Sequence, residues 1–391
     1  MKAEKICRNI YWVGAIDWKL REFHGYATHK GSTYNAYLVI DDKITLIDTV
    51  KGNLKQEMLQ RIASVIDPSK IDYVISNHAE PDHSGSISDV VALAKDAVVI
   101  TSATGGEKGL KGYFGELPYR TVKTGDTLCT GKYNFTFTAT PMVHWPDNMV
   151  TYLAEEKILF SNDAFGQHYG CAERYDDLAD PCDVFFEAKK YYANIVQPFA
   201  SQVTAALKAL ESLDIALIAP SHGVMWRKHI AKIVGLYRDW AQLKTDESAV
   251  IVYDTMYGST EMMAQAVHDA FAARGIPAKL MELNTNDLSD IITELLTAKY
   301  LAVGCPTINN NILPTVSAFL TYFKSLNSFP RRTFAFGSYG WSGQSVGIVE
   351  EALAGSKCTP LLAGQKLLFV PSRQQLESVT SAVLDALSSN T

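Results

Sequence analysis

The chain has 391 residues, which at roughly 100–200 residues per domain indicates two or three domains. Hydrophobic residues make up 47% and charged residues 20%, a balance that excludes a disordered, collagen-like or coiled-coil chain. The formal net charge of −6 lacks the basic character of a nucleic-acid-binding protein. No apolar run approaches the ~18 residues of a membrane span. Six scattered cysteines without a C-x-x-C pair, and a start without a secretory signal, predict a cytoplasmic protein with free thiols.

The first half of the chain contains short strand-like runs separated by turns. Residues 36–40 and 44–49 predict a hairpin around Asp41. Further strands are predicted at 72–78, 97–102, 131–141, 149–163 and 215–223. This number of strands, with few long helices, predicts two sheets packed together with helices outside.

The second half of the chain alternates strand-like runs with helix-length segments. Strands are predicted at 249–254, 278–283, 299–307, 333–340 and 366–371, with helices near 260–274, 287–297, 314–326 and 344–355. This alternation is typical of a doubly wound parallel sheet. The polar stretch 241–248 is the predicted linker, which gives predicted domains at residues 1–246 and 249–391.

The densest group of possible metal ligands is the segment His78-Ala79-Glu80-Pro81-Asp82-His83, directly after a strand-like run. Three more candidates, His144, Asp163 and His222, follow strands further along the chain. Seven ligands are too many for one tetrahedral ion but suit two ions bridged by Asp163. The alternative is a chance cluster of solvated loop residues. A chance cluster is a good explanation for any single downstream histidine, but a poor one for the whole set of seven residues.

Three loops of the second half form a possible phosphate and ring-binding site. The first follows Asp254, is rich in glycine and hydroxyl groups, and precedes a helix whose N–H groups and dipole favour an anion. A serine-rich helix cap is the alternative for this loop alone. The other two follow the third and fourth strands, at the sheet edge where α/β folds bind ligands. The candidate cofactor-binding residues are Thr255, Met256, Tyr257, Gly258, Ser259, Thr260, Pro306, Thr307, Asn309, Asn310, Asn311, Ser338, Tyr339, Gly340, Trp341 and Gly343.

Both groups of residues resemble those of the flavodiiron protein family. The pattern H-x-E-x-D-H at residues 78–83 resembles the metallo-β-lactamase-like domain of that family, and the loops with G-W-S-G at 340–343 resemble its flavodoxin-like domain. The resemblance covers nearly the whole chain. It implies an α/β protein in which an N-terminal metallo-β-lactamase-like αβ/βα sandwich precedes a flavodoxin-like doubly wound parallel sheet.

The resemblance also implies the ligands of two iron ions. Zinc hydrolases of the same superfamily have histidine where this chain has Glu80, and carboxylates suit iron better than zinc. Matched position by position, the family pattern implies that the first iron is bound by His78, Glu80 and His144. It implies that the second iron is bound by Asp82, His83 and His222, and that Asp163 bridges the two irons.

The implied function is reduction of dioxygen to water, of nitric oxide to nitrous oxide, or of both. FMN is the implied second cofactor, rubredoxin or another separate protein the implied electron donor, and a head-to-tail homodimer, or a tetramer, the implied assembly. No nucleic acid or membrane is expected as a partner. His24, Tyr26 and His168 are the implied catalytic groups beside the metals, and Tyr191 and Tyr192 resemble further neighbours in the family. The form of His24 and Tyr26 favours dioxygen.

Two other functions stay open from the sequence. One is a zinc hydrolase of the metallo-β-lactamase superfamily with a passenger flavodoxin-like domain, against which Glu80 and the fused flavin site argue. The other is a flavodoxin-type electron carrier whose first domain is a structural or docking module. Substitution of His78 or Asp163 distinguishes the carrier, because a carrier does not need these residues for gas consumption.

Overall fold

The computed structural model describes residues 1–326 and 331–389. Contacts divide the chain into two compact units. The first comprises residues 1–24, 28–192 and 199–241, and the second comprises residues 25–27, 193–198 and 242–391. The short segments 25–27 and 193–198 therefore group with the second unit, which the sequence did not indicate.

The first half of the chain is built mainly from short strands. Its helices are α1 (Lys55–Ala63), α2 (Pro81–Ser84), α3 (Ile87–Leu93), α4 (Gly106–Phe114), α5 (Pro181–Tyr191), α6 (Ala200–Leu210) and α7 (Ile230–Ala241). Its strands are β1 (Glu4–Cys7), β2 (Ile10–Trp12), β3 (Ala15–Asp17), β4 (Glu22–Phe23), β5 (Tyr26–Ala27), β6 (Ser32–Tyr34), β7 (Tyr37–Val39), β8 (Thr45–Ile47), β9 (Tyr73–Ser76), β10 (Val98–Ser102), β11 (Tyr119–Val122), β12 (Thr127–Cys129), β13 (Asn134–Ala139), β14 (Met149–Leu153), β15 (Ile158–Asn162) and β16 (Leu217–Pro220).

Two mixed sheets form the core of the first unit. One has seven strands in the order β1-β2-β7-β8-β9-β10-β11, and the other has five in the order β12-β13-β14-β15-β16. Because side chains alternate along a strand, Val39 and Ile75 face the second sheet while Leu38 and Val74 face the helices α1, α3 and α4. The predicted arrangement of two packed sheets with outer helices is confirmed.

The second unit contains one parallel sheet flanked by helices. Its strands follow the order β18-β17-β19-β20-β21, with β22 also paired to β20, which is the strand order of flavodoxin-like folds. Residues of α8 and α12 pack on one face of β17. The elements are β17 (Asp246–Tyr253), α8 (Ser259–Ala273), β18 (Ala278–Glu282), α9 (Leu288–Leu295), β19 (Ala298–Gly304), α10 (Pro314–Ser325), β20 (Arg332–Tyr339), α11 (Ser345–Gly355), β21 (Thr359–Pro360), β22 (Gln365–Leu368) and α12 (Arg373–Ser388).

Three predicted segments differ from the structure. Residues 149–163 form two antiparallel strands, β14 and β15, joined by a turn. The linker is shorter than predicted, because β17 already begins at Asp246. The first side chains of this strand are polar and exposed, so they looked like a linker, but the backbone N–H of Asp246 donates a hydrogen bond to the carbonyl of Thr297. The strands before residue 35 were missed, since each is too short to show an alternating pattern.

Among the described residues, no helix is both long and apolar enough to cross a membrane.

Candidate metal and flavin sites

The candidate metal ligands lie at strand ends on one edge of the first unit. Strand β9 leads into His78, and Pro81 then starts the one-turn helix α2, which carries Asp82 and His83. Strand β14 is antiparallel to both β13 and β15, and β15 is parallel to β16. The strands β13, β15 and β16 therefore run in the same direction, and the residues that follow them meet at one edge. These residues are His144, Asp163 and His222.

The seven side chains form two adjacent groups. In the first group, Nε2 of His144 lies 3.3 Å from Oε2 of Glu80 and 3.4 Å from Oδ2 of Asp163. His78 completes this group, with Nε2 3.2 Å from Oε2 of Glu80. All four ligand atoms lie within 4.8 Å of one another.

The second group faces the other carboxylate oxygen of Asp163. Nε2 of His83 lies 2.9 Å from Oδ1 of Asp163 and 3.3 Å from Oδ1 of Asp82. Nε2 of His222 lies 3.2 Å from Oδ2 of Asp82 and 3.6 Å from Oδ1 of Asp163. Asp163 thus turns one oxygen to each group, which is the arrangement of a bridging carboxylate.

Several of these buried atoms make no hydrogen bond within the described chain. They are both carboxylate oxygens of Asp82, Oδ2 of Asp163 and Nε2 of His83. Buried polar atoms are almost always hydrogen-bonded, because leaving them unpaired costs free energy. Nitrogen and oxygen atoms that converge without hydrogen-bond geometry fit the positions of metal ligands. The donor set therefore fits two cations.

The electrostatics of the site reflect its buried carboxylates. Burial alone lowers the pKa of His78, but hydrogen bonds to Asp147 and Glu80 outweigh it and raise the pKa to about 10. Burial likewise opposes protonation of His83, yet the negative charge of Asp163 raises its pKa to about 9. Burial favours protonated Asp163, but the nearby imidazoles hold its pKa well below the usual range. The buried carboxylates thus stabilise positive charge in the site, which either protonated histidines or metal ions provide.

Other side chains hold the histidines in place, and the sequence did not indicate them. Oδ2 of Asp147 accepts hydrogen bonds from Nδ1 of His78 at 3.0 Å and from a backbone N–H at 2.7 Å. Nδ1 of His222 donates to the carbonyl oxygen of Thr33 at 2.7 Å. Such partners fix the tautomer and orientation of metal-binding imidazoles. The only sequence signal for Asp147 is its position three residues after His144.

The predicted catalytic residues have different surroundings. The side chain of His24 is 72% exposed, and its Nε2 lies 3.4 Å from Oε1 of Glu80. His168 is fully buried, with Nδ1 2.8 Å from Oγ of Ser32 and its ring centroid 4.7 Å from that of His222. Burial lowers the pKa of His168 well below its usual range, so its imidazole is neutral. Tyr26 is buried and groups with the second unit.

The two predicted tyrosines do not have the same neighbours. The ring centroid of Tyr191 lies 5.8 Å from that of His222 and 5.1 Å from that of His168. The ring of Tyr192 instead contacts Tyr237 and Trp240, with centroids 5.0 Å apart in both cases. Of these two tyrosines, only Tyr191 therefore has its ring in contact with a candidate metal ligand, His222.

The three predicted loops of the second unit surround a cavity of about 620 Å³. This volume lies within the ~300–1,000 Å³ typical of ligand sites. Eleven predicted residues line it: Met256, Tyr257, Ser259, Pro306, Thr307, Asn309, Asn310, Ser338, Tyr339, Gly340 and Trp341. The sequence missed three further lining residues, Ile308, Phe369 and Val370. The last two were predicted as strand, but β22 ends at Leu368 and the chain turns at Phe369 with φ of +54°.

The other five predicted residues support the loops without lining the cavity. The hydroxyl of Thr255 accepts a hydrogen bond from the N–H of Gly258, and the hydroxyls of Thr260 and Ser338 lie 2.9 Å apart. The N–H of Asn311 donates to the carbonyl of Ile308, and the N–H of Gly343 donates to that of Trp341.

The start of α8 is suited to a phosphate group. Gly258 precedes the helix in the left-handed region, at φ of +82°, and no side chain caps the first turn. The N–H groups of that turn therefore remain available for an anion. Two apolar residues with exposed side chains, Tyr257 and Trp341, border the same cavity and offer flat surfaces to a ring. The cavity fits FMN.

Comparison with known proteins matches a different family model to each half of the chain. A family model described as "ODP family beta lactamase" matches residues 33–223, and one described as "Flavodoxin" matches residues 251–377. The chain is 42% identical to a nitric oxide reductase of Moorella thermoacetica, over 95% of both chains. It is similar to the solved rubredoxin oxygen:oxidoreductase of Desulfovibrio gigas, with a TM-score of 0.95, 40% identity and 99% of both chains covered. It is also similar to the solved flavodiiron protein of Giardia intestinalis, with a TM-score of 0.94, 34% identity, and 99% and 97% covered.

Proposed function

This chain belongs to the flavodiiron protein family, and from that premise we propose that it is an oxidoreductase that reduces dioxygen to water, nitric oxide to nitrous oxide, or both. The observation that carries the proposal is the position of Asp163, whose two carboxylate oxygens face two separate groups of imidazole and carboxylate ligands. Adjacent metal ions suit reactions in which two atoms must be held side by side.

The proposed metal ligands follow the two groups of side chains. His78, Glu80 and His144 would hold one iron, and Asp82, His83 and His222 would hold the other, with the two carboxylate oxygens of Asp163 facing the two groups. Three carboxylates in this set favour iron over zinc, which prefers nitrogen and sulfur donors. We assign this site to residues 1–246.

The FMN site is assigned to residues 249–391. The loop 255–260 and the first turn of α8 would hold the phosphate through N–H and hydroxyl groups, and the lining side chains of Tyr257, Tyr339 and Trp341 would offer flat surfaces to the ring. Two ferrous ions and reduced FMN together supply the four electrons that convert dioxygen to two waters, or two pairs that each join two nitric oxide molecules into nitrous oxide and water.

The chain's own residues orient the ligands and supply protons. Asp147 keeps the proton of His78 on Nδ1, so that Nε2 faces the metal position. The carbonyl of Thr33 does the same for His222. His24 is exposed, with Nε2 3.4 Å from Oε1 of Glu80, and is the proposed catalytic residue nearest to solvent. His168, held neutral by burial, is a hydrogen-bonding group rather than a cation. Tyr26 is the third proposed catalytic residue.

The proposed partners are a separate electron donor of the rubredoxin type and a second copy of the chain. On the ground of the family resemblance we propose a head-to-tail homodimer, or a tetramer built from it, and a cytoplasmic location. The form of His24 and Tyr26 favours dioxygen.

The zinc hydrolase is the weaker alternative. The similar nitric oxide reductase and rubredoxin oxygen:oxidoreductase carry the names of oxidoreductases, and the family resemblance implies that Glu80 stands where hydrolases of the superfamily have histidine. An electron carrier with an inert first domain gives no reason for seven converging ligand side chains, three of which have unpaired buried atoms.

Anaerobic stopped-flow spectroscopy tests the proposal. The protein with iron and FMN is fully reduced, mixed separately with dioxygen and nitric oxide, and followed by flavin reoxidation. Prompt reoxidation without release of peroxide is the expected result, and the ratio of the two rates gives the preferred gas. Slow reoxidation by both gases, together with bound zinc, contradicts the proposal and favours the hydrolase. Gas consumption that survives substitution of His78 or Asp163 favours the carrier.

A further inference from the structure

A small apolar cavity of about 20 Å³ borders two of the loops that carry the proposed metal ligands. Val143, which lines it, directly precedes His144. Ala164, which also lines it, directly follows Asp163. The cavity therefore adjoins the first group of ligands through one residue on each loop.

Helix α6 forms the opposite wall of this cavity. Val203, Ala206 and Leu207 are spaced three and four residues apart, so they lie on one face of the helix and line the cavity together. Val203 is buried, whereas Ala206 and Leu207 are half-buried. These two residues and Ala164 are the half-buried part of the lining. Ala209 of the same helix is exposed and does not line the cavity.

The cavity is a poor site for water. A buried water molecule needs two to four polar partners, whereas dry apolar cavities bind apolar molecules and xenon. Only Thr140 and Tyr237 bring hydroxyl groups to the lining, and the Tyr237 hydroxyl already accepts a hydrogen bond of 2.8 Å from the N–H of Phe165. The space is only slightly more than the ~10–15 Å³ that one water-sized sphere requires. It therefore admits a molecule of two atoms and excludes an organic ligand.

We propose that this cavity is a binding and access site for an apolar diatomic gas, dioxygen or nitric oxide. The inference rests on the proposed function, because the gas is the substrate of the proposed reaction. A gas molecule in the cavity contacts Val143 and Ala164, the sequence neighbours of His144 and Asp163. Leu207 is half-buried at the edge of the cavity, so a change of its rotamer is the proposed opening to solvent. The cavity raises the local concentration of gas next to the metal ligands.

Xenon tests the site independently of catalysis. Crystals of the complete protein are pressurised with xenon, and the expected result is a xenon peak in contact with Val143 and Val203. Ala206→Trp places a large ring into the cavity and should abolish the peak. Ala209→Trp makes the same change on the exposed side of α6 and should retain it. No xenon peak in the unsubstituted protein overturns the proposal.

Steady-state kinetics test the role of the site. In Ala206→Trp we expect kcat/KM for both gases to fall about tenfold, which is the size of effect that one small apolar contact has on kcat/KM in a hydrophobic pocket. The value of kcat at saturating gas should be unchanged. Ala209→Trp should match the unsubstituted protein. Leu207→Phe, a smaller change at the solvent side, serves if Ala206→Trp does not fold, and should lower kcat/KM in the same direction.

The possible outcomes separate the inference from the proposed function. A folded variant that has lost the xenon peak but keeps kcat/KM overturns the access role. Unsubstituted protein that binds xenon but consumes neither gas overturns the proposed function and leaves the apolar gas site standing. Iron content, FMN content and melting temperature confirm that each variant is folded and loaded.

Discussion

The Nδ1 atom of His78 lies 3.0 Å from Oδ2 of Asp147, and both side chains are buried. A carboxylate can only accept, so Nδ1 carries the proton and Nε2 faces Glu80 and Asp163. Removing an outer carboxylate of this kind typically lowers metal affinity ~10–100-fold. We therefore expect Asp147→Ala to weaken iron binding by a factor in that range. Dialysis against graded concentrations of chelator, followed by iron analysis, measures the change.

The matched control for this prediction is Asp96→Ala. Asp96 is exposed on the same unit and carries the same charge. It should retain iron as the unsubstituted protein does. Equal retention of iron in Asp147→Ala would show that Asp147 does not position His78.

Trp12 lies between two guanidinium groups. The Arg174 and Arg61 guanidinium carbons lie 4.3 Å and 4.7 Å from its ring centroid, and its Nε1 donates a hydrogen bond of 2.8 Å to Oδ1 of Asn35. Trp12→Phe leaves the buried amide oxygen of Asn35 unpaired, at a cost of ~1–3 kcal/mol. It also weakens cation–π contacts worth ~0.5–1 kcal/mol each at exposed sites. We expect the free energy of unfolding of the first unit to fall by about 2–4 kcal/mol.

Urea unfolding followed by circular dichroism measures this loss. Trp18→Phe is the control, because Trp18 is 53% exposed and surface substitutions usually stay within about 0.5 kcal/mol. The same midpoint shift in both variants would contradict the prediction, since it would assign no special stability to the buried ring.

Gly258 precedes α8 with φ of +82°, a conformation that costs residues with a Cβ atom ~1–2 kcal/mol. In Gly258→Ala we expect the loop 255–260 to shift away from its phosphate-binding geometry. The dissociation constant of FMN should rise about tenfold, since 1.4 kcal/mol is a factor of ten in binding. Flavin fluorescence during titration of the apoprotein measures the constant.

Gly347→Ala is the matched control in the same unit. Gly347 lies inside α11, and a Cβ atom built there meets nothing within 4 Å. This variant should keep the FMN affinity and gain ~0.5–1 kcal/mol of helix stability. Unchanged FMN affinity in Gly258→Ala would contradict a role for this backbone conformation in binding phosphate.

The sequence predicted the fold class and the cofactors because both depend on local patterns. Buried strands read as apolar runs, and the ligands His78, Asp163 and His222 directly follow or nearly follow such runs. The fold class and the cofactors are confirmed. The individual site residues stay predictions, although the structure brings all seven metal-ligand candidates together.

The residues that the sequence missed depend on tertiary placement. Asp147 supports His78 across 69 positions of the chain, and no local pattern relates the two. Phe369 and Val370 looked like the end of a strand, yet the left-handed turn at Phe369 carries them out of the sheet to the cavity. Tyr191 and Tyr192 both resemble residues beside the metals in the family, but the ring of Tyr191 contacts His222 and that of Tyr192 contacts Tyr237.

Burial divides the cysteines by the pKa of their thiols. It raises the pKa of Cys305 to about 12 and that of Cys171 to about 11, whereas Cys129 and Cys182 are exposed. Because the thiolate is the reactive form, we expect a thiol reagent near neutral pH to label the exposed pair quickly and the buried pair only after unfolding. The folded pKa values exceed the unfolded value of 9.0, so the unfolded chain ionises first and stability falls as the pH rises above about 9. Peptide mass spectrometry and melting temperatures measure both effects, and fast labelling of Cys305 in the folded protein contradicts the prediction.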